Sequence, residues 1–139
     1  MREYVVTCCS TADMSRTFME TNEVPFAMFH YQLDGKEYAD DLYSSISPEV
    51  FYKMIGDGAQ PVTSQVNVEA YCALFEPVLK SGKDVLHLTL SSGISGSINS
   101  ANVAKTQMEE KYPDRRVMVV DSLAASSGYG MLVEQTLEN

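Results

Sequence analysis

Two short runs of apolar and β-branched residues, 85–90 and 117–120, place the strongest constraint on the fold. Both runs are apolar almost throughout, so both faces of each predicted strand are expected to be buried. A helical pattern follows each run, from about residue 98 to 112 and from about residue 125 to 137. Buried strands that alternate with helices predict a three-layer α/β/α domain with a mainly parallel sheet.

The rest of the chain supplies the other elements of such a domain. In chain order we predict a strand over residues 4–9, a helical segment over 14–22, a strand over 25–33, a hairpin turn at Asp34-Gly35, a helix begun by Ser47-Pro48-Glu49, and a helix over 68–80 capped by Asn67. The polar segment 57–67 carries no predicted element. In sheets of this kind ligands bind beyond the carboxyl ends of the strands.

Size and charge limit the functions that the sequence supports. Its 139 residues suit one domain, residues 1–139, whose core forms without disulfides or metal. Ten basic and nineteen acidic residues give a net charge of −9, which argues against a nucleic acid partner and against docking on anionic lipid headgroups. The sequence has no apolar run long enough for a membrane span and no signal-peptide pattern, so a cytoplasmic location is expected.

The three cysteines and two histidines are interpreted as structural residues. Cys8 and Cys9 are adjacent and point to opposite faces of a strand, and no C-x-x-C pair occurs. Reduced thiols at Cys8, Cys9 and Cys72 are therefore predicted, not a zinc knuckle or a redox dithiol. His87 lies in an apolar strand and His30 in an aromatic-rich one, where core packing is the expected role.

Small polar residues follow three of the predicted strands, at Ser10-Thr11, at residues 91–97 and at Asp121-Ser122. The second segment, Ser-Ser-Gly-Ile-Ser-Gly-Ser, joins a strand to a helix, so N–H groups near Gly96 and Ser97 are expected to lack helical partners. Such N–H groups, with hydroxyls and the helix dipole, suit a carboxylate or a phosphate. The alternative is that serine and glycine only form a turn and a cap.

The same loop suggests a serine hydrolase, which the rest of the sequence disfavours. The segment 93–97 nearly matches the nucleophile elbow of α/β-hydrolases, with Ser95 as the nucleophile, but its final glycine is replaced by serine. A catalytic histidine usually comes late in such chains, and neither histidine follows Asp121. The hydrolase therefore stays a minor alternative.

No cofactor and no bound metal are predicted. The phosphate-binding glycine motifs of nucleotide sites do not occur, and Gly128 and Gly130 fit close packing of the last helix better. An acidic cluster after the hairpin turn is interpreted as a solvated loop, with a bound cation as the less expected alternative. Its members are Asp34, Glu37, Asp40 and Asp41.

Six short motifs follow one another along the chain. They are Ser10-Thr11-Ala12-Asp13-Met14, Gly35-Lys36-Glu37-Tyr38-Ala39-Asp40, Ser47-Pro48-Glu49-Val50-Phe51-Tyr52, Thr63-Ser64-Gln65, the segment 91–97 with Ser100-Ala101, and Val120-Asp121-Ser122. Together they resemble the amino-terminal domain of the DegV family. The resemblance implies a bacterial fatty-acid-binding protein of phospholipid metabolism that is not itself an enzyme and serves as the carrier subunit of a separate fatty acid kinase.

The resemblance also implies roles for individual residues. The hydroxyls of Thr63 and Ser95 fall on those that hydrogen-bond the fatty acid carboxylate in the family, while the acyl chain enters an apolar tunnel. The other candidate ligand-binding residues are Ser64, Ser92, Gly96, Ser97 and Ser10. Charge-assisted hydrogen bonds would orient the carboxylate, and each buried CH₂ group would contribute about 0.8 kcal/mol.

The chain departs from the family pattern at several positions. Cys9 replaces an aspartate that precedes the first motif, Val66 replaces a proline, and Ser97 replaces a threonine. The carboxy-terminal domain of the family, which closes over the ligand, is absent from these 139 residues. An alternative function is therefore a structural or interaction fragment with little ligand affinity, in which exposed tunnel surface drives self-association.

Overall fold

The structure is a computed structural model that describes residues 3–139. Its elements are β1 (Tyr4–Cys9), α1 (Arg16–Thr21), β2 (Phe26–Ala27), β3 (His30–Leu33), β4 (Lys36–Ala39), α2 (Pro48–Gly56), β5 (Val62–Ser64), α3 (Val68–Lys80), β6 (Asp84–Thr89), α4 (Ser97–Lys111), β7 (Val117–Asp121) and α5 (Ser126–Glu138). A short 3-10 turn, Ser10–Ala12, follows β1. The main sheet is parallel with the order β2-β1-β6-β7, and a smaller antiparallel sheet has the order β4-β3-β5.

Helices cover both faces of the main sheet, which confirms the predicted three-layer domain. On one face, the His87 ring of β6 packs against Tyr71 and Phe75 of α3, and α3 packs on α4. On the other face, Cys8 of β1 contacts Met19 of α1, and α5 packs on β1. Cys8 and Cys9 thus point to opposite faces, as predicted, and all the cysteines are free thiols.

The starts of two helices follow directly from their capping residues. The Ser47 hydroxyl accepts a hydrogen bond from the Val50 amide at 3.3 Å, and Pro48 occupies the first turn of α2. The Asn67 side chain accepts one from the Ala70 amide at 2.8 Å at the start of α3. Both predicted helices are confirmed. Among residues 3–139, no helix combines the length and the apolar character that crossing a membrane requires.

The single strand predicted over residues 25–33 is wrong, because the chain leaves one sheet and joins the other within it. Phe26–Ala27 pairs in parallel with β1, whereas His30–Leu33 pairs antiparallel with β4 and β5. Between them the Phe29 amide donates to the Ser10 hydroxyl, and the Phe29 carbonyl accepts from the Asp40 amide. These contacts satisfy the backbone at the crossing, which apolar patterning alone does not reveal. The strand β5 lies in the segment for which no element was predicted.

The first turns of α5 pack very close to the turn that follows β1. A Cβ atom at Gly130 would stand 2.7 Å from the Ala12 carbonyl oxygen and 2.6 Å from the Met14 sulfur. Only glycine fits this approach without a shift of the backbone. The predicted packing role is confirmed for Gly130, and the structure shows no comparable backbone contact at Gly128.

A neutral polar cluster lies beneath the carboxyl end of the main sheet. His87 is fully buried, and a hydrogen bond of 2.8 Å joins its Nδ1 to the Thr7 hydroxyl. The Cys9 sulfur lies 3.3 Å from the Tyr71 hydroxyl and 3.8 Å from His87 Nε2. Burial lowers the pKa of His87 to about 3 and raises that of Cys9 to about 11, against hydrogen bonds from Tyr71 and Tyr129. The core role predicted for His87 is confirmed.

The depressed pKa of His87 predicts a loss of stability in acid. Below about pH 6.5 the unfolded chain binds a proton at this residue that the folded protein does not take up until about pH 3. The free energy of unfolding should therefore fall by up to about 1.4 kcal/mol per pH unit in this window. Urea unfolding of wild type and His87→Gln between pH 4 and 7 isolates this contribution, because the carboxylates titrate in both proteins. Parallel pH curves for the two proteins would contradict the assignment.

Candidate functional site

A cavity of about 540 Å³ lies where the carboxyl edge of the main sheet faces the small sheet and α2. Its walls come from the segment after β1, from β3 and β5, from the loop that leads to α2, and from the segment after β6. The lining residues are Thr11, Asp13, Phe29, His30, Tyr31, Ala39, Asp40, Asp41, Tyr43, Ile46, Phe51, Pro61, Thr63, Ser64, Gln65, Leu90, Ile94 and Ser95. Three of the predicted site residues, Thr63, Ser64 and Ser95, thus line one cavity, although Ser95 is distant in sequence from the other two.

Thr63 and Ser64 reach the cavity because β5 adds to the free edge of β3. Thr63 pairs with Tyr31, and Ser64 pairs with His30. Paired residues of antiparallel strands project from the same face, so the Thr63 hydroxyl stands beside the Tyr31 ring. The Ser64 hydroxyl donates to the His30 carbonyl at 3.4 Å and is occupied within the sheet. Of the two, Thr63 is therefore the better ligand donor.

Ser95 lies in the loop between β6 and α4 with its hydroxyl proton free. Its Oγ accepts a hydrogen bond from the Ser97 amide at 3.1 Å, which leaves the proton to point elsewhere. The Ser97 amide is consequently not free to donate to a ligand, and the Ser97 side chain is fully buried. At Gly96 an added Cβ would lie 3.0 Å from the Gln65 side-chain oxygen. The absence of a side chain there lets Gln65, a cavity residue, lie against the start of α4.

Ser92 and Ser10 do not line the cavity but hold its walls. The Ser92 amide donates to the Asp121 carboxylate, and hydrogen bonds from Ser92 and Leu123 hold the pKa of Asp121 below its usual range. This bridge joins the loop after β6 to the end of β7. Ser10 is fully buried, and its hydroxyl accepts from the Phe29 amide at 3.0 Å. It fixes the crossing between the two sheets.

The interpretation of the acidic cluster as a solvated loop is wrong for Asp40 and Asp41, which lie in the cavity wall. Asp13, Asp40 and Asp41 line the cavity, and among residues 3–139 no lysine or arginine does so. Burial raises the pKa of Asp40, against a hydrogen bond from Ser10. Burial would also raise the pKa of Asp41, but hydrogen bonds from Ser45 and Ser44 outweigh it and lower the value. Asp34 and Glu37, by contrast, are exposed.

The aromatic part of the wall was also missed, because it depends on how α2 packs on the small sheet. The Tyr31 ring stacks on Tyr38 and meets Phe51 edge-on, each with centroids 5.5 Å apart. His30, for which a core role was expected, is half-buried in the cavity wall. The core role expected for His30 is therefore wrong, and the sequence signal behind it, the aromatic content of residues 25–33, does not say which residues line a cavity.

The contacts of the two histidines do not support hydrolase chemistry. Within residues 3–139, the Ser95 hydroxyl has the Ser97 amide as its hydrogen-bond partner and contacts neither histidine in this way. His87 is engaged with Thr7 and Cys9 in the core. The described part of the chain also holds no cluster of three or more histidine, cysteine or acidic residues arranged to hold a metal.

The sequence is similar to one family of known proteins. The family model described as "Uncharacterised protein, DegV family" matches residues 5–138. A DegV domain-containing protein of Clostridium perfringens is 35% identical over 133 residues, which are 96% of this chain and 46% of that protein.

Two solved structures share both fold and sequence. A fatty-acid-binding DegV family protein from Thermus thermophilus has 30% identity and a TM-score of 0.86, over 99% of this chain and 47% of that one. A stearic-acid-binding protein from Eubacterium ventriosum has 30% identity and a TM-score of 0.87, over 97% and 46%. The chain spans about half the length of these relatives. Since the family model matches nearly all of its residues, the chain belongs to the DegV family.

Proposed function

We propose that this domain binds a long-chain fatty acid in the cavity between its two sheets. The observation that carries the proposal is the composition of the wall, where the hydroxyls of Thr63 and Ser95 face a cavity bounded largely by apolar and aromatic side chains. Relatives from Thermus thermophilus and Eubacterium ventriosum bind fatty acids on the same fold, which supports this ligand class. An acyl chain gains affinity in proportion to its buried CH₂ groups, and a few polar contacts fix its orientation.

The carboxylate is held by neutral donors. No lysine or arginine of the described residues lines the cavity, so hydrogen bonds from hydroxyls would meet the ligand charge. Ser95 is suited to this because the Ser97 amide occupies a lone pair of its oxygen and leaves the proton available. Thr63, on the facing strand β5, supplies a second hydroxyl. The Gln65 amide, beside Gly96, is a third candidate donor.

The bound fatty acid is presented to a separate kinase subunit, which phosphorylates its carboxylate. This step rests on the resemblance to the carrier subunits of fatty acid kinase. An exposed carboxylate end suits it, since Thr63 is exposed and Ser95 half-exposed at the cavity wall. In this scheme the domain binds and orients the substrate, and the chemistry belongs to the partner.

Removing either carboxylate donor should weaken fatty acid binding. Thr63→Val deletes the hydroxyl while keeping the side-chain shape, and Ser95→Ala deletes the other hydroxyl. A hydrogen bond to a charged group contributes about 1.5–3 kcal/mol, so the Kd for palmitate should rise roughly 10- to 100-fold in each variant. Isothermal titration calorimetry with delipidated protein measures the change.

Two serines provide matched controls for this experiment. Ser64→Ala removes a hydroxyl that is bonded to the His30 carbonyl, and Ser92→Ala removes one that lies outside the cavity. Both variants should bind palmitate within about twofold of wild type. If wild type binds no fatty acid, or if Thr63→Val and Ser95→Ala bind as tightly as the controls, the proposed function is wrong.

Neutralising a wall carboxylate should have the opposite effect. Asp40 is partly buried and shares the cavity with the ligand carboxylate, so the two charges repel each other in a medium of reduced dielectric constant. Asp40→Asn keeps the shape and should lower the Kd for palmitate about two- to tenfold at pH 8, as measured by calorimetry. Binding of the neutral methyl ester should change much less. Equal gains for acid and ester would show that the effect is not electrostatic.

The second candidate function is self-association of this short chain, and exposed apolar side chains beside the cavity favour it. Val62 is 65% exposed, Ile94 is 66% exposed and Tyr52 is 63% exposed. Such surface drives association when nothing covers it. Light scattering at increasing concentration, with and without palmitate, should show an oligomer under this reading. A monomer that binds palmitate tightly would rule it out.

A further inference from the structure

The hydrogen-bond ladder between β1 and β6 is interrupted at the carboxyl end of the main sheet. The last residues paired directly are Thr7 and His87. In the same register the next hydrogen bond would join the Cys9 amide to the Leu88 carbonyl. The Tyr129 hydroxyl of α5 stands in that place instead, accepting from the Cys9 amide at 2.9 Å and donating to the Leu88 carbonyl.

This bridge holds the two strands apart without leaving a polar group unpaired. A direct N–H···O bond would bring the Cys9 nitrogen and the Leu88 oxygen to about 2.7–3.2 Å. Two successive bonds through a hydroxyl keep them further apart and satisfy both backbone groups. Tyr129 is fully buried, so the hydroxyl takes the place that water would otherwise have to fill.

On their outer edges the two strands have different neighbours, since Cys9 pairs with Ala27 of β2, and Thr89 of β6 pairs with Asp121 of β7. In the order β2-β1-β6-β7 the chain passes from β1 to β2 in one direction and from β6 to β7 in the other. The position between β1 and β6 is therefore the switch point of the sheet, where ligands of open α/β folds bind. Thr11, which follows β1, and Leu90, which follows β6, both line the cavity. The bridge is thus two residues along each strand from a cavity-lining residue, Thr11 after Cys9 and Leu90 after Leu88.

The packing of the next residue fixes where the Tyr129 hydroxyl stands. Gly130 lies so close to the turn after β1 that a Cβ atom there would be 2.7 Å from the Ala12 carbonyl oxygen. This contact packs α5 against the turn Ser10–Ala12, which contains Thr11. The position of the Tyr129 ring relative to the sheet is therefore set by the close backbone packing at the next residue.

We propose that Tyr129 is a positioning residue whose hydroxyl wedges β1 from β6 and sets the width of the fatty acid cavity at its floor. The ligand part rests on the proposed function, whereas the wedge itself is a property of the sheet. Without the hydroxyl, the Cys9 amide and the Leu88 carbonyl are expected to bond directly. The strands then close, and Thr11 and Leu90 approach each other.

A scalar coupling across the hydrogen bond tests the wedge without any ligand. In ¹⁵N,¹³C-labelled protein, NMR coupling between the Cys9 amide nitrogen and the Leu88 carbonyl carbon should be absent from wild type and present in Tyr129→Phe. Detection of this coupling in wild type would overturn the proposal. If Tyr129→Phe does not fold, the wild-type spectrum alone tests the wedge, because presence of the Cys9–Leu88 coupling there contradicts it and absence supports it.

Two ligands of equal length and charge test the width of the cavity. Oleate is bent by its cis double bond and needs a wider passage than stearate, so Tyr129→Phe should raise the Kd for oleate at least threefold more than the Kd for stearate. A merely structural loss would weaken both alike. Replacement of Tyr129 by p-aminophenylalanine, which can accept and donate at the same place, should restore the wild-type ratio.

Tyr112→Phe is the matched control, because its hydroxyl bonds to Glu76 outside the cavity. This variant should keep the wild-type ratio of the two affinities. An unchanged ratio in folded Tyr129→Phe would overturn the role in setting the width. If wild type binds neither fatty acid, the proposed function fails, and the scalar coupling still decides whether the wedge exists.

Discussion

Parallel strands that separate at their carboxyl ends leave backbone groups without ladder partners, and the cavity of this domain depends on how those groups are satisfied. In each case a side chain supplies the missing partner. Tyr129 bridges β1 and β6, Ser10 receives the Phe29 amide at the crossing between sheets, and Asp121 receives the Ser92 amide beside β7. Because protein side chains satisfy these backbone groups, the backbone at the cavity edge is held by the protein itself.

The charge of the cavity wall does not attract a carboxylate. A protein with a net charge of −9 offers no general attraction to a fatty acid, and the cavity is lined by three aspartates and, within the part of the chain that the structure describes, by no lysine or arginine. In the proposed function, affinity therefore comes from burial of the acyl chain, while the Thr63 and Ser95 hydroxyls would decide where the carboxylate lies. Repulsion from the aspartates adds to this selectivity, since a carboxylate near them would lose free energy.

Local signals predicted the elements that local contacts determine. Caps such as Ser47 and Asn67 fix helix starts within a few residues, and buried apolar runs fix the central strands. The strand β5 could not be predicted in this way, because its residues are exposed and its partner β3 is distant in sequence. The positions of Thr63 and Ser95 came from family resemblance. Asp40 and Tyr31 were missed as cavity residues because only the meeting of two sheets brings them there.

The core beneath the cavity explains why cysteine is tolerated where the family pattern has aspartate. Cys9 is fully buried between the Tyr71 hydroxyl and a neutral His87, and burial keeps its own pKa near 11. An ionised aspartate in this place would need a protonated His87 as its cation, and desolvation of the pair would cost several kcal/mol. With a thiol, the cluster stays neutral across physiological pH. Under the proposed function, a bound carboxylate would then meet the charges of the wall aspartates and no charge from the core.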